Sequence, residues 1–280
     1  MTLANCSVTD TGTTYVVELE GWGLDIVEWF ERIICSAFPS SRYSRVGEPS
    51  DSGLLGLGKT LLLQGEPSPG GLKEVEDFLT LMTTTLTIED SLDESHSLGY
   101  HQDEDETGGL VRSRLGAVVN QVKYGPFPHP DARAAIRRAL CRFIERHPRY
   151  RRAQAIAAIP PHQTGDRASL CQSQAPDIAE QLGFSQLEII RLQTRAPQKD
   201  IQDDDRPRGV KHRFDNRRGS MRVDCDSKGF SVIALDDLYG SGGTMAEAAR
   251  ALREAGAREV LGLTMTKQRL YEGVRLATLD

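Results

Sequence analysis

The sequence predicts an α/β fold: a mostly parallel twisted sheet flanked by helices, with a small N-terminal α+β extension. From residue 110 onwards, short apolar runs alternate with segments of helical periodicity, as in βαβ units. Before that point, one strand pattern and two helical patterns flank a segment rich in Ser, Gly and Pro. An acidic stretch separates the two regions. We therefore expect an extension at residues 1–88, a linker or loop at 89–109, and a second domain at 110–280.

The composition is that of an ordinary globular protein with enough apolar residues for a sizeable core. Of the 280 residues, 39% are hydrophobic and 26% are charged, which excludes collagen-like, coiled-coil and wholly disordered chains. The formal net charge of −6 predicts no general attraction to nucleic acid. The five cysteines are scattered and form no Cys-x-x-Cys pair, so we expect free thiols in a reducing compartment.

The sequence shows no pattern typical of a membrane or export segment. No apolar run approaches the ~20 residues that span a bilayer. The N-terminal residues lack the basic region and apolar stretch of a secretory signal. We therefore expect a cytoplasmic protein without membrane contacts.

The N-terminal extension carries structural patterns but no recognisable chemistry. Residues 15–19 alternate as in a strand, and residues 26–34 and 72–82 place apolar side chains at helical spacing. The acidic stretch at 89–109 holds eight carboxylates and no Lys or Arg, together with several Ser and Gly. Such a composition is typical of a solvated linker or loop.

The elements of the second domain follow from apolar periodicity. Two helices are predicted first, one over residues 115–122 and one that begins at Asp131. Strands and helices then alternate. The expected strands are 155–159, 187–192, 230–235 and 260–264, and the expected helices are one that ends near Gly183 and one over 244–255. In sheets of this kind, ligands bind at the carboxyl ends of the strands.

The most informative segment is a glycine-rich turn between the strand at 230–235 and the helix at 244–255. Glycines lack the Cβ that would prevent a tight turn and a close approach to a ligand. The free N–H groups of the turn and the positive end of the helix dipole together favour a phosphate. The hydroxyls can add further donors. The predicted phosphate site comprises Tyr239, Gly240, Ser241, Gly242, Gly243 and Thr244.

Two adjacent acids, Asp236 and Asp237, lie directly before this turn. Carboxylates at this position can accept hydrogen bonds from sugar hydroxyls or hold the waters of a divalent cation. A phosphorylated sugar matches both halves of the segment. An exposed turn with incidental charges is the alternative explanation.

This strand, acid pair, turn and helix resemble the signature of type I phosphoribosyltransferases, which bind 5-phosphoribosyl-1-pyrophosphate (PRPP). Further segments are similar to ComF-like members of that family. They are Lys123–Tyr124 after a helix, a Pro-containing strand end at 159–161, and a string with matching spacing from Gln198 to Phe214, in which Gly209 replaces the usual Asn. The resemblance covers about residues 110–266. The Gly-Ser-Gly-Gly-Thr turn differs from the family's usual Thr-Thr-Gly-Ala-Thr, and the N-terminal cysteine cluster of many members is missing.

The resemblance implies a transferase of nucleotide metabolism that uses Mg²⁺ and displaces pyrophosphate from C1 of PRPP. Asp236 and Asp237 would hold the ribose hydroxyls or magnesium waters, and the turn would hold the 5-phosphate. A turn formed by Pro160, Pro161 and His162 would face the pyrophosphate. The long polar segment at 194–210 would form a hood that covers the active site, and Arg206 on this segment would reach the phosphates. The acceptor is not identifiable from the sequence, and a homodimer is one expectation among open oligomeric states.

Three functions remain open at this stage. The first is a PRPP-dependent phosphoribosyltransferase, or a PRPP hydrolase if water is the acceptor. The second is a non-catalytic PRPP or nucleotide sensor, or an accessory protein of the ComF type. The third and least favoured is an NTPase, because residues 53–60 fit the Gly-x₄-Gly-Lys-Thr phosphate-loop pattern. That pattern requires a preceding strand and a following helix, and neither flank has the expected composition.

Overall fold

The chain forms two compact units in a computed structural model. The structure describes residues 2–10, 15–22, 43–45, 50–52, 58–65, 71–161, 169–192 and 218–269, and every structural statement below concerns these residues. One unit comprises residues 1–87 and 143–151, and the other comprises residues 88–142 and 152–280.

The first unit is an antiparallel sheet with one helix. Its strands are β1 (Thr2–Asp10), β2 (Tyr15–Trp22), β3 (Tyr43–Arg45), β4 (Ser50–Ser52) and β5 (Gly58–Gly65). They pair in the order β1-β2-β5-β3, and β4 also pairs with β5. Helix α1 (Gly71–Thr83) packs against β1 and buries Phe78 and Leu79. The predicted strand at 15–19 and helix at 72–82 are confirmed, whereas the predicted helix at 26–34 lies outside the described residues.

The structure contradicts the NTPase alternative. Gly58, Lys59 and Thr60 belong to β5, which pairs antiparallel with β2 and β4. A phosphate loop instead turns from a strand into a helix, so that its amides point at the phosphates. The ammonium of Lys59 is paired with the carboxylate of Asp51. The remaining residues of the pattern, 53–57, lie outside the described residues.

The second unit is built around a mostly parallel sheet, which confirms the predicted fold class. The strands are β6 (Leu86–Ile88), β7 (Glu94–Ser97), β10 (Ala155–Ala158), β11 (Ser185–Arg191), β12 (Met221–Val223), β13 (Ser231–Tyr239) and β14 (Glu259–Lys267). Their order in the sheet is β12-β11-β10-β13-β14-β7-β6. The five consecutive strands from β11 to β7 are parallel to one another, and β12 is antiparallel to β11. A separate hairpin comprises β8 (Gln102–Glu104) and β9 (Leu110–Arg112).

Three helices pack against this sheet at the places predicted from periodicity: α2 (Arg114–Tyr124), α4 (Leu170–Leu182) and α5 (Gly243–Glu254). Helix α3 (Pro130–Arg146) follows α2 in the chain, and a 3₁₀ turn follows at Tyr150–Arg152. Every residue of β10 and residues 260–266 of β14 are buried. Because successive strand residues point to opposite faces, both faces of the sheet are covered. Among the described residues, no helix is both long and apolar enough to cross a membrane.

The expected linker at 89–109 is corrected by the structure. Its residues Glu94–Ser97 form the buried strand β7, which is parallel to β14. The polar side chains of this region find partners inside the protein. Asp93 accepts hydrogen bonds from the Val260 amide and from Arg253, and Glu94 pairs with His96. A strand of polar residues lacks the apolar signal by which buried strands are recognised.

Candidate functional site

The carboxyl ends of four parallel strands bring the candidate residues to one edge of the sheet. Strand β10 ends before Ile159, Pro160 and Pro161, and β13 carries Asp236 and Asp237 near its end. Strand β14 ends close to Thr266, and the chain that leaves β7 reaches His101 at the same edge, where its amide bonds the Lys267 carbonyl. Ligands of parallel sheets bind at this edge.

Strand β13 is longer than predicted, and this sets the directions of the two acids. It extends to Tyr239, and Asp236 pairs in register with Thr264 of β14. The acids therefore lie within the strand rather than beyond it. Because neighbouring strand residues point to opposite faces, the two carboxylates face different surroundings.

The carboxylate of Asp237 pairs with Lys123, at the end of α2. The Lys123 Nζ atom lies 2.6 Å from Oδ2 of Asp237 and 5.3 Å from the centre of the Tyr124 ring. Burial alone would lower the pKa of Lys123, but the charge and hydrogen bond of Asp237 outweigh it, so the pKa lies above its ordinary value. Lys123 is thus a fixed positive charge at the site.

The carboxyl group of Asp236 is the one whose ionisation the surroundings oppose. Burial, followed by the negative charge of Asp237, raises the pKa of Asp236 to about 7. The amide of Asp237 donates a 2.8 Å hydrogen bond to Oδ1 of Asp236, and the charges of Lys123 and Arg191 also favour the ionised form. A cation or a hydrogen-bond donor at this carboxylate would relieve the cost of its charge.

The glycine-rich turn has the geometry of an anion site. Gly242 has φ +83°, in the left-handed region that favours glycine, and it precedes the first residue of α5, Gly243. Within the described part of the chain, no side chain caps this helix terminus. The Ser241 hydroxyl is buried and has no hydrogen-bond partner among the described residues. A buried hydroxyl without a partner is costly, and at this helix terminus the Ser241 hydroxyl is available as a donor.

The Arg191 side chain donates hydrogen bonds to the Pro160–Pro161 segment. Its Nε atom donates to the Pro161 carbonyl at 2.8 Å, and Nη2 donates to the Pro160 carbonyl at 2.9 Å. Its Nη1 atom is buried and has no partner within the described residues. Burial lowers the pKa of Arg191, and the charges of Asp236 and Glu247 oppose this. The guanidinium therefore connects the proline turn electrostatically to Asp236 and, within the described residues, retains an unpaired donor.

The remaining predicted residues are placed as follows. The side chain of Tyr239 is buried beside Asp90, and burial raises the pKa of its phenol. Only its backbone borders the turn, and its carbonyl accepts a bond from Gln268. Gly240 and Thr244 flank the turn as expected. His162 and Arg206 lie outside the described residues, as does the Gln198-to-Phe214 string.

Sequence reasoning missed Arg191 and gave no role to Lys123 or His101. Arg191 is the last residue of an apolar strand, and its position at the carboxyl edge of the sheet is the sequence signal that could have identified it as a site residue. Lys123 was noted only as half of a Lys-Tyr pair. Its contact with Asp237 joins distant parts of the chain, and no local pattern encodes such a contact.

Comparisons with known proteins give similarity in structure but not in sequence. No protein-family model matches the chain, and no curated protein matches it. The ComF-like assignment therefore stays a prediction.

The following three enzymes are among the solved structures to which the chain is similar. A phosphoribosylpyrophosphate synthetase from Mycobacterium smegmatis shares 25% identity, with 47% of this chain and 33% of that chain covered, at a TM-score of 0.31. An adenine phosphoribosyltransferase from Saccharomyces cerevisiae shares 12% identity over 70% of this chain and 90% of that chain, at a TM-score of 0.37. An orotate phosphoribosyltransferase from Aeropyrum pernix shares 12% identity over 60% of this chain and 74% of that chain, at a TM-score of 0.34.

Proposed function

We propose that this protein binds PRPP and transfers its phosphoribosyl group to an acceptor. The observation that carries the proposal is the buried Ser241 hydroxyl, which has no partner among the described residues and lies at the N-terminus of α5, four residues after the acid pair of β13. A phosphate-binding terminus next to two carboxylates matches a ligand that has a phosphate and several hydroxyls.

The 5-phosphate would be held by the turn from Gly240 to Thr244. A helix N-terminus presents unsatisfied N–H groups and a partial positive charge, and both favour an anion. The backbone at Gly242 accommodates this turn without a Cβ clash. The Ser241 hydroxyl would then donate to a phosphate oxygen, which gives the buried group its partner.

The ribose hydroxyls would be held by Asp236 and Asp237. An ionised carboxylate accepts hydrogen bonds with two oxygens, and adjacent ribose hydroxyls can donate to both. Such donors favour the ionised form of Asp236, whose pKa the protein raises. Ligand binding would therefore stabilise a charge that burial disfavours.

The same two carboxylates fit a magnesium ion. Oxygen ligands are those that Mg²⁺ prefers, and it usually binds through one or two carboxylates plus substrate phosphates. The repulsion between the charges of Asp236 and Asp237 also favours a divalent cation. When bound, the ion would offset the charge of the pyrophosphate group.

The chemical step is a substitution at C1 of the ribose. A bond forms between the acceptor and C1, the bond between C1 and the pyrophosphate oxygen breaks, and the electron pair leaves with pyrophosphate. The protein mainly positions the groups and stabilises charge. We assign the pyrophosphate to Arg191, which donates hydrogen bonds to the carbonyls of Pro160 and Pro161 and whose Nη1 atom has no partner among the described residues. We assign His162 and Arg206 to the same group.

Calorimetry with PRPP and Mg²⁺ tests the binding part of the proposal. We expect Asp236→Asn combined with Asp237→Asn to abolish magnesium-dependent binding. Asp103→Asn, which changes an exposed acid of the β8–β9 hairpin, should leave binding unchanged. If the double variant binds PRPP with the affinity of the wild type, the assignment of the acid pair is wrong.

A non-catalytic PRPP sensor is the second candidate function. The observation in its favour is the Lys123–Asp237 ion pair, because a lysine already compensates one of the two acids. Pyrophosphate release from PRPP, measured with Mg²⁺ and with or without nucleobases, separates the candidates. Release favours the transferase or hydrolase, whereas binding without release for any acceptor favours the sensor.

A further inference from the structure

His101 lies at the carboxyl edge of the sheet and is held by its backbone on both sides. Its amide donates to the Lys267 carbonyl at 2.8 Å, and its carbonyl accepts from the Ser113 amide at 3.1 Å. Helix α2 approaches closely here, since a Cβ added at Gly116 would lie 2.1 Å from the His101 oxygen. The ring is therefore attached to a fixed backbone position and is partly exposed.

Two hydrogen bonds through Thr266 connect the His101 ring to the backbone carbonyl of Asp237. The Thr266 hydroxyl donates to the Asp237 carbonyl at 3.1 Å, and its oxygen lies 3.3 Å from Nδ1 of His101. A hydroxyl has one hydrogen, and this one is used by the carbonyl. The Thr266 oxygen must therefore accept from His101, which places the ring proton on Nδ1. The lone pair is left on Nε2.

The surroundings favour the neutral form of this ring. Burial lowers the pKa of His101 below its ordinary value, and the positive charges of Arg112 on β9 and Lys123 on α2 lower it further. The charge of Asp237 on β13 acts in the opposite direction and does not outweigh them. A neutral imidazole with a lone pair on Nε2 is a base.

We propose that Nε2 of His101 is the general base that takes the proton of the acceptor in phosphoribosyl transfer. This role rests on the proposed function. The acceptor's N–H or O–H bond breaks and its proton moves to Nε2. The freed electron pair forms the new bond to C1, and pyrophosphate leaves with the electron pair of the bond to C1. The imidazolium then returns its proton to the solvent. Thr266 holds the Nδ1 proton throughout and orients the ring.

The kinetic test uses His101→Gln, with His129→Gln as the matched control. The measurements are PRPP affinity by calorimetry with Mg²⁺, and pyrophosphate release against pH with water and with a panel of nucleobases as acceptors. We expect His101→Gln to bind PRPP within two-fold of the wild type, to release pyrophosphate about 10²-fold more slowly, and to lose the acidic limb of the pH profile. His129→Gln should match the wild type in all three respects.

A second measurement does not depend on turnover. Nitrogen-15 NMR of the histidine rings should show His101 with its proton on Nδ1 at pH 7, and Thr266→Val should abolish that preference. A proton on Nε2 in the wild type overturns the proposal, as does a His101→Gln variant with the wild-type rate and pH profile.

The outcomes separate this inference from the proposed function. Wild-type protein that binds no PRPP overturns both. Wild-type protein that binds PRPP but releases no pyrophosphate with any acceptor overturns the base role alone and leaves PRPP binding intact.

Discussion

The ammonium group of Lys123 lies 2.6 Å from the carboxylate of Asp237, so the end of a helix supplies a positive charge to the acid pair of a strand. Asp237 is thereby compensated, whereas Asp236 carries the cost of the two adjacent carboxylates. Among the described residues, Asp236 has no lysine at hydrogen-bond distance, and burial and the charge of Asp237 raise its pKa.

Lys123→Met should raise the pKa of Asp236 above its value of about 7. The reason is that the Lys123 charge favours the ionised form of Asp236, and methionine retains much of the side-chain volume without that charge. Carbon-13 NMR titration of the aspartate carboxyl groups measures the shift. Lys228→Met, at an exposed lysine, is the control. A lower or unchanged Asp236 pKa in Lys123→Met would contradict this account of the pair.

Asp236→Asn should stabilise the folded protein at pH 8 while weakening PRPP binding. The pKa of Asp236 is raised from 3.8 to about 7 in the folded state, so ionisation costs stability. The wild type therefore loses stability relative to the variant as the pH rises from about 4 to about 7, and the difference between the two proteins is constant above that range. We expect the variant to melt about 2–4 °C higher at pH 8, which corresponds to roughly 1 kcal/mol.

Thermal unfolding of both proteins at pH 4 and pH 8 measures this effect. The advantage of Asp236→Asn should be smaller at pH 4, because the carboxyl group is protonated in the folded state and, with an unfolded-state pKa of 3.8, only partly ionised in the unfolded state. A difference in melting temperature that does not change with pH would assign the stabilisation to packing instead of charge.

Arg191→Lys should weaken PRPP binding about tenfold and leave ribose 5-phosphate binding unchanged. Lysine keeps the charge but cannot donate to two carbonyls from a rigid fork, and a hydrogen bond to a charged group contributes about 1.5–3 kcal/mol. Ribose 5-phosphate lacks the pyrophosphate that the Pro160–Pro161 turn would receive. Calorimetry with both ligands measures the two affinities.

The exposed Arg258→Lys serves as the control for this change. Equal losses for PRPP and ribose 5-phosphate in Arg191→Lys would indicate a general structural role. No loss for either ligand would remove Arg191 from the site.

Ser241→Ala should keep or slightly raise stability but weaken PRPP binding. The buried hydroxyl has no partner among the described residues, and such a group costs about 1–3 kcal/mol. Ser220→Ala is a matched control, because its hydroxyl is also buried without a partner in the described structure and lies directly before β12. Thermal unfolding and PRPP calorimetry should show similar stability changes but a binding loss only for Ser241→Ala.

The elements of the parallel sheet were predictable because their signals are local. Strands β10, β11, β13 and β14 and helices α2 to α5 follow from apolar periodicity, and Gly183 ends α4 in the left-handed conformation typical of a helix terminus. The end of β13 was predicted too early, because two aspartates at 236 and 237 resemble a loop. In the structure they continue the strand and pair with β14.

By itself, the sequence determined the fold class and the strand, acid pair, glycine turn and helix of the candidate site, since each depends on residues close together in the chain. Only the tertiary structure decided that the polar strand β7 is buried in the sheet, that Lys123 compensates Asp237, and that Arg191 holds the proline turn. It also decided that His101 meets Thr266. The physical reason is that buried polar groups require partners, and here many of those partners are distant in the chain, where no periodic pattern identifies them.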